Sequence, residues 1–476
     1  MDNQPLQKRY GLLTAICMVV GIVIGSGVFF KAQDILIHTN GNMPLGILAW
    51  LLGGMAMVLA ILAFSVLARR YVRINGIIDY AEETVGSRYG YFVGWFVTTI
   101  YYPSMTSVLA WVSARYTVAL FGENDPTSGM TMVLAGVYLC LSCLVNVLAP
   151  RISGKFQVGT TFVKLVPLIL MAVVGTVIGL VNGNTLEAFT SSSVAGGDAS
   201  TLFAATVATA FAYEGWIIAT SINAELRDAK RNLPIALVGG SLIIIIVYIT
   251  YYVGLAGVAS VDELMTGGAQ TAFRDLFGNV AGTLLNVFVV ISCLGTLNGL
   301  MLASTRSMYS IAVRGNGPRP DIFASVDRST NMPINSGIMG LFICAFWLFY
   351  FYGANLMPTP IFGIFSFDSS ELPVITVYAF YIPIFIAFMC KHGREDMVHN
   401  VLFPLLAILA SAFMIFAALY AHGISKYQAA AARGEFSFPV LFYLIVFAVI
   451  MGIGMLFYHK KARTDQVTEG DEDKHA

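Results

Sequence analysis

Charge is what this 476-residue chain has least of: Asp, Glu, Lys and Arg together make up 11% of it, against roughly a quarter in soluble domains. With 57% hydrophobic residues and a mean hydropathy of +0.76, the chain cannot cover itself with an aqueous surface, so an ordinary soluble protein is excluded. Cysteine is scarce too, at six residues. The one Cys-x-x-Cys, Cys140 and Cys143, lies inside an apolar stretch without a third or fourth ligand, which reads as packing and not as a redox or zinc motif. The six histidines, His38, His392, His399, His422, His459 and His475, fall in loops, tails or the ends of apolar runs. That placement offers no base within a membrane for a serine nucleophile, no haem ligand and no metal cluster. No cofactor motif is present either, so the expectation is no enzyme, no cofactor, no metal and no nucleic-acid partner.

What is abundant is long apolar sequence. Twelve stretches are long enough for a bilayer, which needs about 20 residues per helix: 11–37, 45–67, 90–120, 131–149, 156–181, 200–223, 233–258, 280–305, 334–352, 360–390, 399–421 and 440–458. The first is too long for the core of a signal peptide and no Ala-x-Ala cleavage site follows it. Short cytoplasmic loops collect Lys and Arg. With the N-terminus inside, every Lys and Arg falls on the cytoplasmic side except Arg274, Lys426 and Arg433 outside, and Lys31, Arg115 and Lys164 in or at the ends of spans. The expectation is a multi-pass protein of the cell membrane with both termini cytoplasmic: a short tail (1–10), spans 1–5 (11–181), spans 6–10 (200–390), spans 11–12 (399–458) and a charged, disordered tail (459–476). The zero net charge says nothing of partners, because the charge is segregated.

Two of the apolar runs are interrupted. The first contains Gly25-Ser26-Gly27, and the sixth contains Phe-Ala-Tyr-Glu-Gly-Trp at 211–216. A small-residue packing face is the ordinary use of such glycines. If spans 1–5 and 6–10 are repeats, however, the two breaks coincide, and matching interruptions point to a midplane binding site. Where a half-helix resumes after Gly27, free amides and the positive dipole end can receive a carboxylate. Where a half-helix ends, free carbonyls can receive an ammonium. The pair of sockets suits the two backbone groups of an amino acid.

At these residues the chain resembles the amino-acid permeases of the amino acid-polyamine-organocation superfamily, close to bacterial relatives of the L-type amino-acid transporters. The resemblance is carried by Gly-Ser-Gly-Val-Phe at 25–29, Phe-Ala-Tyr-Glu-Gly-Trp at 211–216, the run from Glu225 to Ala236, and Ser292 to Gly299 followed by Ser304 to Tyr309. It implies an all-α membrane protein of 12 transmembrane helices, a LeuT-like 5+5 inverted repeat plus two helices, with the first and sixth discontinuous. It also implies substrate-carboxylate binding by the amides of Gly25, Ser26 and Gly27, and amino-group binding by the carbonyls of Val23, Phe211 and Glu214. The Phe211 ring would close over the substrate, and Gly215 completes the second break. Lys164, in the fifth span, would stand where sodium-coupled relatives hold a metal ion between the first and eighth helices, giving a sodium-independent carrier. A lysine snorkelling to the cytoplasmic face is the competing reading.

Glu214 departs from the family, which has a small or apolar residue there. A carboxylate beside the site favours a cationic side chain such as lysine, ornithine or arginine. The alternatives are a neutral amino-acid exchanger in which Glu214 pairs with a protein cation or takes a proton, and, from another class, a substrate-sensing receptor without transport. Asp368 and Glu371, in Phe-Asp-Ser-Ser-Glu-Leu-Pro, are expected either as ligands or as partners of Lys164 or Arg115. Asp79, Glu82 and Glu83 among Arg69, Arg70, Arg73 and Arg88, with Glu225 and Arg227, read as a solvated or salt-bridged inner gate. The identity of the amino acid, exchange versus proton symport versus uniport, the oligomeric state and any accessory subunit stay open.

Overall fold

In lipid only closed hydrogen-bonding patterns survive, so apolar runs of this length fold as helices. The computed structural model describes residues 11–25, 27–71, 76–122, 125, 127–191, 199–219 and 226–459. Lys8, Arg9, Ser26, Arg73, Glu225 and the tail beyond His459 lie outside the described residues. Among the described residues the chain is all-helical, without a strand.

Nine helices among the described residues are long and apolar enough to cross a membrane: Met43–Arg70, Gly129–Leu148, Leu165–Asn182, Lys230–Val258, Gly282–Ala312, Ile334–Leu356, Leu372–His392, Val398–Ala431 and Pro439–Leu456. This is a multi-pass membrane architecture, but not twelve uniform rods. Three of the twelve apolar runs behave differently. The first and sixth are short pieces, Leu12–Val23 with Gly27–His38, and Ala199–Ala212 with Trp216–Ala219. The third runs through Ser87–Phe96, a π turn Val97–Tyr101 and Tyr102–Ala119. It is polar for a span: Thr98, Thr99, Ser104, Thr106, Ser107 and Ser113 bond back to carbonyls three or four residues earlier, so hydroxyls sit in an otherwise apolar interior without an unpaired donor.

Other limits shift for local reasons. The tenth run starts at Leu372, not 360, because Pro358, Pro360 and Gly363 at φ +54° hold residues 357–371 in loop and a short 3-10 turn. Asp368 closes the turn that leads into the helix: its Oδ1 accepts from the Ser370 amide at 2.7 Å, the Ser370 hydroxyl at 2.7 Å and the Glu371 amide at 2.9 Å. The eighth begins early, at Ala269, and kinks at Gly278 (φ 73°). The eleventh passes 421 through a π turn, Leu419–Ser425, to Ala431.

Small residues let the helices approach. A Cβ on Gly254 would lie 2.2 Å from the Met171 carbonyl oxygen, and one on Gly295 would lie 2.3 Å from the Thr160 hydroxyl, the close approach membrane helices use in place of a hydrophobic driving force. Between the fourth, fifth and eighth helical runs, Asn146, Ser153 and Asn298 satisfy one another at 2.7–3.0 Å. A second layer is aromatic: Trp50 packs on Tyr213, Tyr248 and Tyr252, and Phe64 on Trp216, Tyr381 and Phe385.

Candidate substrate site

The first break begins where Leu12–Val23 gives way to Ile24, whose ψ of 99° is extended and whose amide still reaches Val20. The helix restarts at Gly27, leaving the amides of its first turn outside the helical ladder. In the second break Ala199–Ala212 ends at Tyr213, Glu214 and Gly215 before Trp216 resumes. Gly215 sits at φ 102°, a conformation that a side chain would strain. The Glu214 amide folds back to the Phe211 carbonyl at 3.4 Å.

The two breaks touch. A Cβ on Gly27 would meet the Ala212 Cα at 2.9 Å and the Phe211 ring at 3.4 Å, and one on Gly25 would meet the Thr296 hydroxyl at 2.8 Å. Phe30 and Phe211 form an edge-on pair with centroids 5.2 Å apart. The hydroxyl of Tyr248 lies 3.2 Å from the Val23 carbonyl and 3.0 Å from that of Ala212. It therefore joins the carbonyl ends of both half-helices, donating its single proton to one at a time. Val23, Gly25, Gly27, Phe211 and Gly215 are thus brought to one place, with Ser26 outside the described residues. Two of the three carbonyls expected to take an amino group are engaged within the protein: Val23 by Tyr248 and Phe211 by the Glu214 amide.

Glu214 sits at the same break and is 7% exposed. The Tyr101 hydroxyl and the Gly215 amide are aimed at its carboxyl, with Tyr102, Tyr378 and Tyr381 around it. Its Oε1 is buried without a hydrogen-bond partner among the described residues. None of the ion pairs among the described residues includes Glu214, so the protein cation considered as its partner is not found there.

Lys164 is buried, at the turn between Pro150–Val163 and Leu165–Leu170, and its ammonium donates to the Gly21 carbonyl of the first half-helix. It does not meet Asp368 or Glu371. Arg115 does not either, since its guanidinium donates to Gln33 at 3.3 Å and stacks on Trp111. The expected partnership of those carboxylates is therefore corrected. Glu371 binds Lys31 at 2.6 Å and His422 at 3.0 Å, while Asp368 Oδ1 is taken up by the turn before the helix. The reading of all histidines as loop or end residues is corrected with it, because His422 falls within the Leu419–Ser425 π turn of a continuous helical run and is buried. Asp368, Glu371 and His422 offer ligand atoms within 4.8 Å of one another, but the Lys31 ammonium already occupies one Glu371 oxygen and opposes a cation there.

Lys31, one turn beyond Gly27, was legible as a cation in an apolar run; Tyr248, Thr296 and His422 carry no local mark, since the groups that matter to them here, Val23 and Ala212, Gly25, and Glu371, lie far away in the chain. At the opposite end of the bundle, Arg314 pairs with Asp79 at 2.5 Å and Glu82 at 3.3 Å, and Arg70 forks onto Glu395 at 2.5 and 3.1 Å. Asp79 and Glu82, expected among neighbouring arginines, are thus held by an arginine in the turn just after Ala269–Ala312. Burial of none of these is complete, so each pair is weaker than its distance suggests.

Comparison with known proteins shows the family. Residues 10–453 match the family described as amino acid permease. The chain is 30% identical over 422 residues to the serine/threonine exchanger SteT of Bacillus subtilis (strain 168), covering 87% of this chain and 91% of that protein. It is 28% identical over 368 residues to the human b(0,+)-type amino acid transporter 1, 72% of this chain and 74% of that one. It is also 26% identical over 337 residues to the human large neutral amino acids transporter small subunit 2, 69% and 62% respectively. These relatives are transporters and not enzymes. The chain belongs to the amino acid permease family of the amino acid-polyamine-organocation superfamily.

Proposed function

We propose that this protein is a secondary carrier of the cell membrane that exchanges L-α-amino acids by alternating access and favours cationic side chains. In this reading the fold is the LeuT-like 5+5 inverted repeat of 12 spans with both termini cytoplasmic, and the two touching breaks are its midplane site. The amides of Gly25, Ser26 and Gly27 take the substrate carboxylate, the carbonyls of Val23, Phe211 and Glu214 take the amino group as Tyr248 gives way, and Phe211 covers the substrate. Lys164, on the Gly21 carbonyl, serves in place of a sodium ion. Exchange is supported by the name of the Bacillus subtilis relative.

The observation that carries the cationic preference is Glu214, a buried carboxyl at the break with one oxygen unpartnered and no ion pair among the described residues. A charge-assisted hydrogen bond in such a site is worth roughly 1.5 to 3 kcal/mol, which is about a ten- to hundredfold preference. Counterflow in liposomes is the test. Lysine and ornithine should exchange against an internal amino acid, and Glu214→Gln should weaken them by that factor while sparing alanine and leucine. A second reading, a neutral amino-acid exchanger with Glu214 as a proton or structural site, is favoured by the tyrosine hydroxyl already aimed at the carboxyl and by relatives named for serine, threonine and large neutral amino acids. Equal loss of all substrates in Glu214→Gln, or a changed pH profile with unchanged selectivity, would establish it. A receptor would bind without trans-stimulation.

A further inference from the structure

Lys31 and Glu371 form the most deeply buried ion pair of the described residues, with side chains 3% and 2% exposed and nitrogen and oxygen 2.6 Å apart. The other Glu371 oxygen faces His422 Nε2 at 3.0 Å, and that ring keeps 11% of its side chain open. An ionised carboxylate can only accept, so Nε2 carries a hydrogen and the titrating position is the second ring nitrogen. The carboxylate is thus shared between an ammonium and a group able to take a proton.

The two counter-charges are mounted differently. Lys31 belongs to Gly27–His38, and on the same helix Asp34 approaches its ammonium at 3.2 Å. The Lys31 nitrogen also lies 5.5 Å from the Phe30 ring and 5.6 Å from that of Phe211. Glu371 stands immediately before a different helix, Leu372–His392, with its amide held by Asp368 Oδ1 at 2.9 Å. If Gly27–His38 swings away to open its end of the bundle, Lys31 leaves with Asp34 as a self-neutral pair. Glu371 stays behind, and a buried carboxylate stripped of its cation is strongly unfavourable. His422 remains with it. A proton on the imidazole restores neutrality.

We propose that Glu371 and His422 form a proton-binding site that takes up one proton from the outer solution when the outer half of the carrier opens. The other charged groups facing His422 fit this role. Asp368 adds negative charge but has Oδ1 spent on three donors; Lys426, further along the same helical run, opposes protonation. His38 faces Glu371 from the Lys31 helix. The packed faces of Met43–Arg70 up to residue 67 and of Ala199–Ala212 carry no titratable residue, and on Pro439–Leu456 the Tyr443 hydroxyl is occupied by Thr376. A divalent metal is the competing occupant, and the Lys31 ammonium argues against it.

The inference rests on the alternating-access reading, and its test keeps the two apart. Purified protein in liposomes, with inner pH and membrane potential clamped and EDTA outside, is assayed for initial uptake of labelled lysine between outer pH 8 and 5.5. The rate of the unmodified protein should rise several-fold as pH falls through the ordinary histidine range near about 6.5. His422→Gln should flatten that rise, and Glu371→Gln should flatten it at a high rate. Glu214→Gln, whatever it does to selectivity, should keep the rise. A His422→Gln profile matching the unmodified protein overturns the proposal, as does a rise lost in Glu214→Gln alone. Uptake abolished by EDTA and restored by zinc also overturns it. Should His422→Gln not fold, or should the protein transport no amino acid, Lys31→Met decides by melting. With the ammonium gone, its midpoint should be lower at pH 8 than at pH 6 by more than that of the unmodified protein, and an equal pH dependence sinks the site.

Discussion

At Gly27 there is no room for a Cβ. The nearest atom to a Cβ there, at 2.9 Å, is the Ala212 Cα, which is backbone and cannot rotate aside. Gly27→Ala must therefore push the two half-helices apart and disturb both the amides and the carbonyl ends that Tyr248 joins. Equilibrium binding of substrate should weaken at least tenfold, with a melting midpoint within a few degrees of the unmodified protein; unchanged affinity would show the glycine to be packing alone. The glycines of both breaks and Glu214 were legible in the sequence because a helix former is missing, or a charge is present, where the pattern forbids it. Tyr248 and Thr296 were not, because a tyrosine or threonine in an apolar helix is unremarkable until the fold sets it against the end of another helix.

Among the helices, length and hydropathy located the nine long apolar spans of the described residues, while termini followed local chemistry that hydropathy does not weigh: a proline-rich loop before Leu372, a glycine kink at 278 and π turns at 171–175 and 419–425. The contact of Ala229–Val258 with the 171–182 region depends on absent side chains. A Cβ at 254 would lie 2.2 Å from the Met171 carbonyl, whereas at 239, on the same helix, it would meet nothing within 4 Å. Overpacking costs about 1–3 kcal/mol, and replacing a helical glycine by alanine in open space gains roughly 0.5–1 kcal/mol. Gly254→Ala should therefore lower the melting midpoint in detergent and Gly239→Ala should hold or raise it. Equal effects at both positions would remove the proposed close approach.

For the whole molecule, ion pairs draw the bundle together at both ends, Arg314 with Asp79 and Glu82 at one and Lys31 with Glu371 at the other. Segregated charge was visible in the sequence, but which residues pair depends on how distant helices pack, and so the partners of Asp79 and Glu371 were missed. In the alternating-access reading one end must part while the other holds. Replacing Arg314 by alanine should then raise the reactivity of cysteines introduced near Asp79 toward a thiol reagent applied from the cytoplasmic side, without changing the melting midpoint by more than a few degrees.

The junction that must survive each cycle is Lys164 on Gly21, since it ties the fifth helical run to the first half-helix just before the break. An intramembrane lysine is costly unless it meets such an acceptor, and Gly21 supplies one of the carbonyls a half-helix leaves free. In the proposed carrier a fixed ammonium there does the electrostatic work of a bound cation, so replacing sodium by choline on both sides of the liposome should leave exchange unchanged. Lys164→Ala frees the carbonyl and should remove most transport, with substrate binding to the breaks weakened as the first half-helix loses its tether. Lys164→Gln, which keeps a donor without the charge, should recover binding more than transport if the charge matters to the cycle. Strict dependence on sodium in the unmodified protein, or full activity in Lys164→Ala, would reduce this lysine to a structural residue.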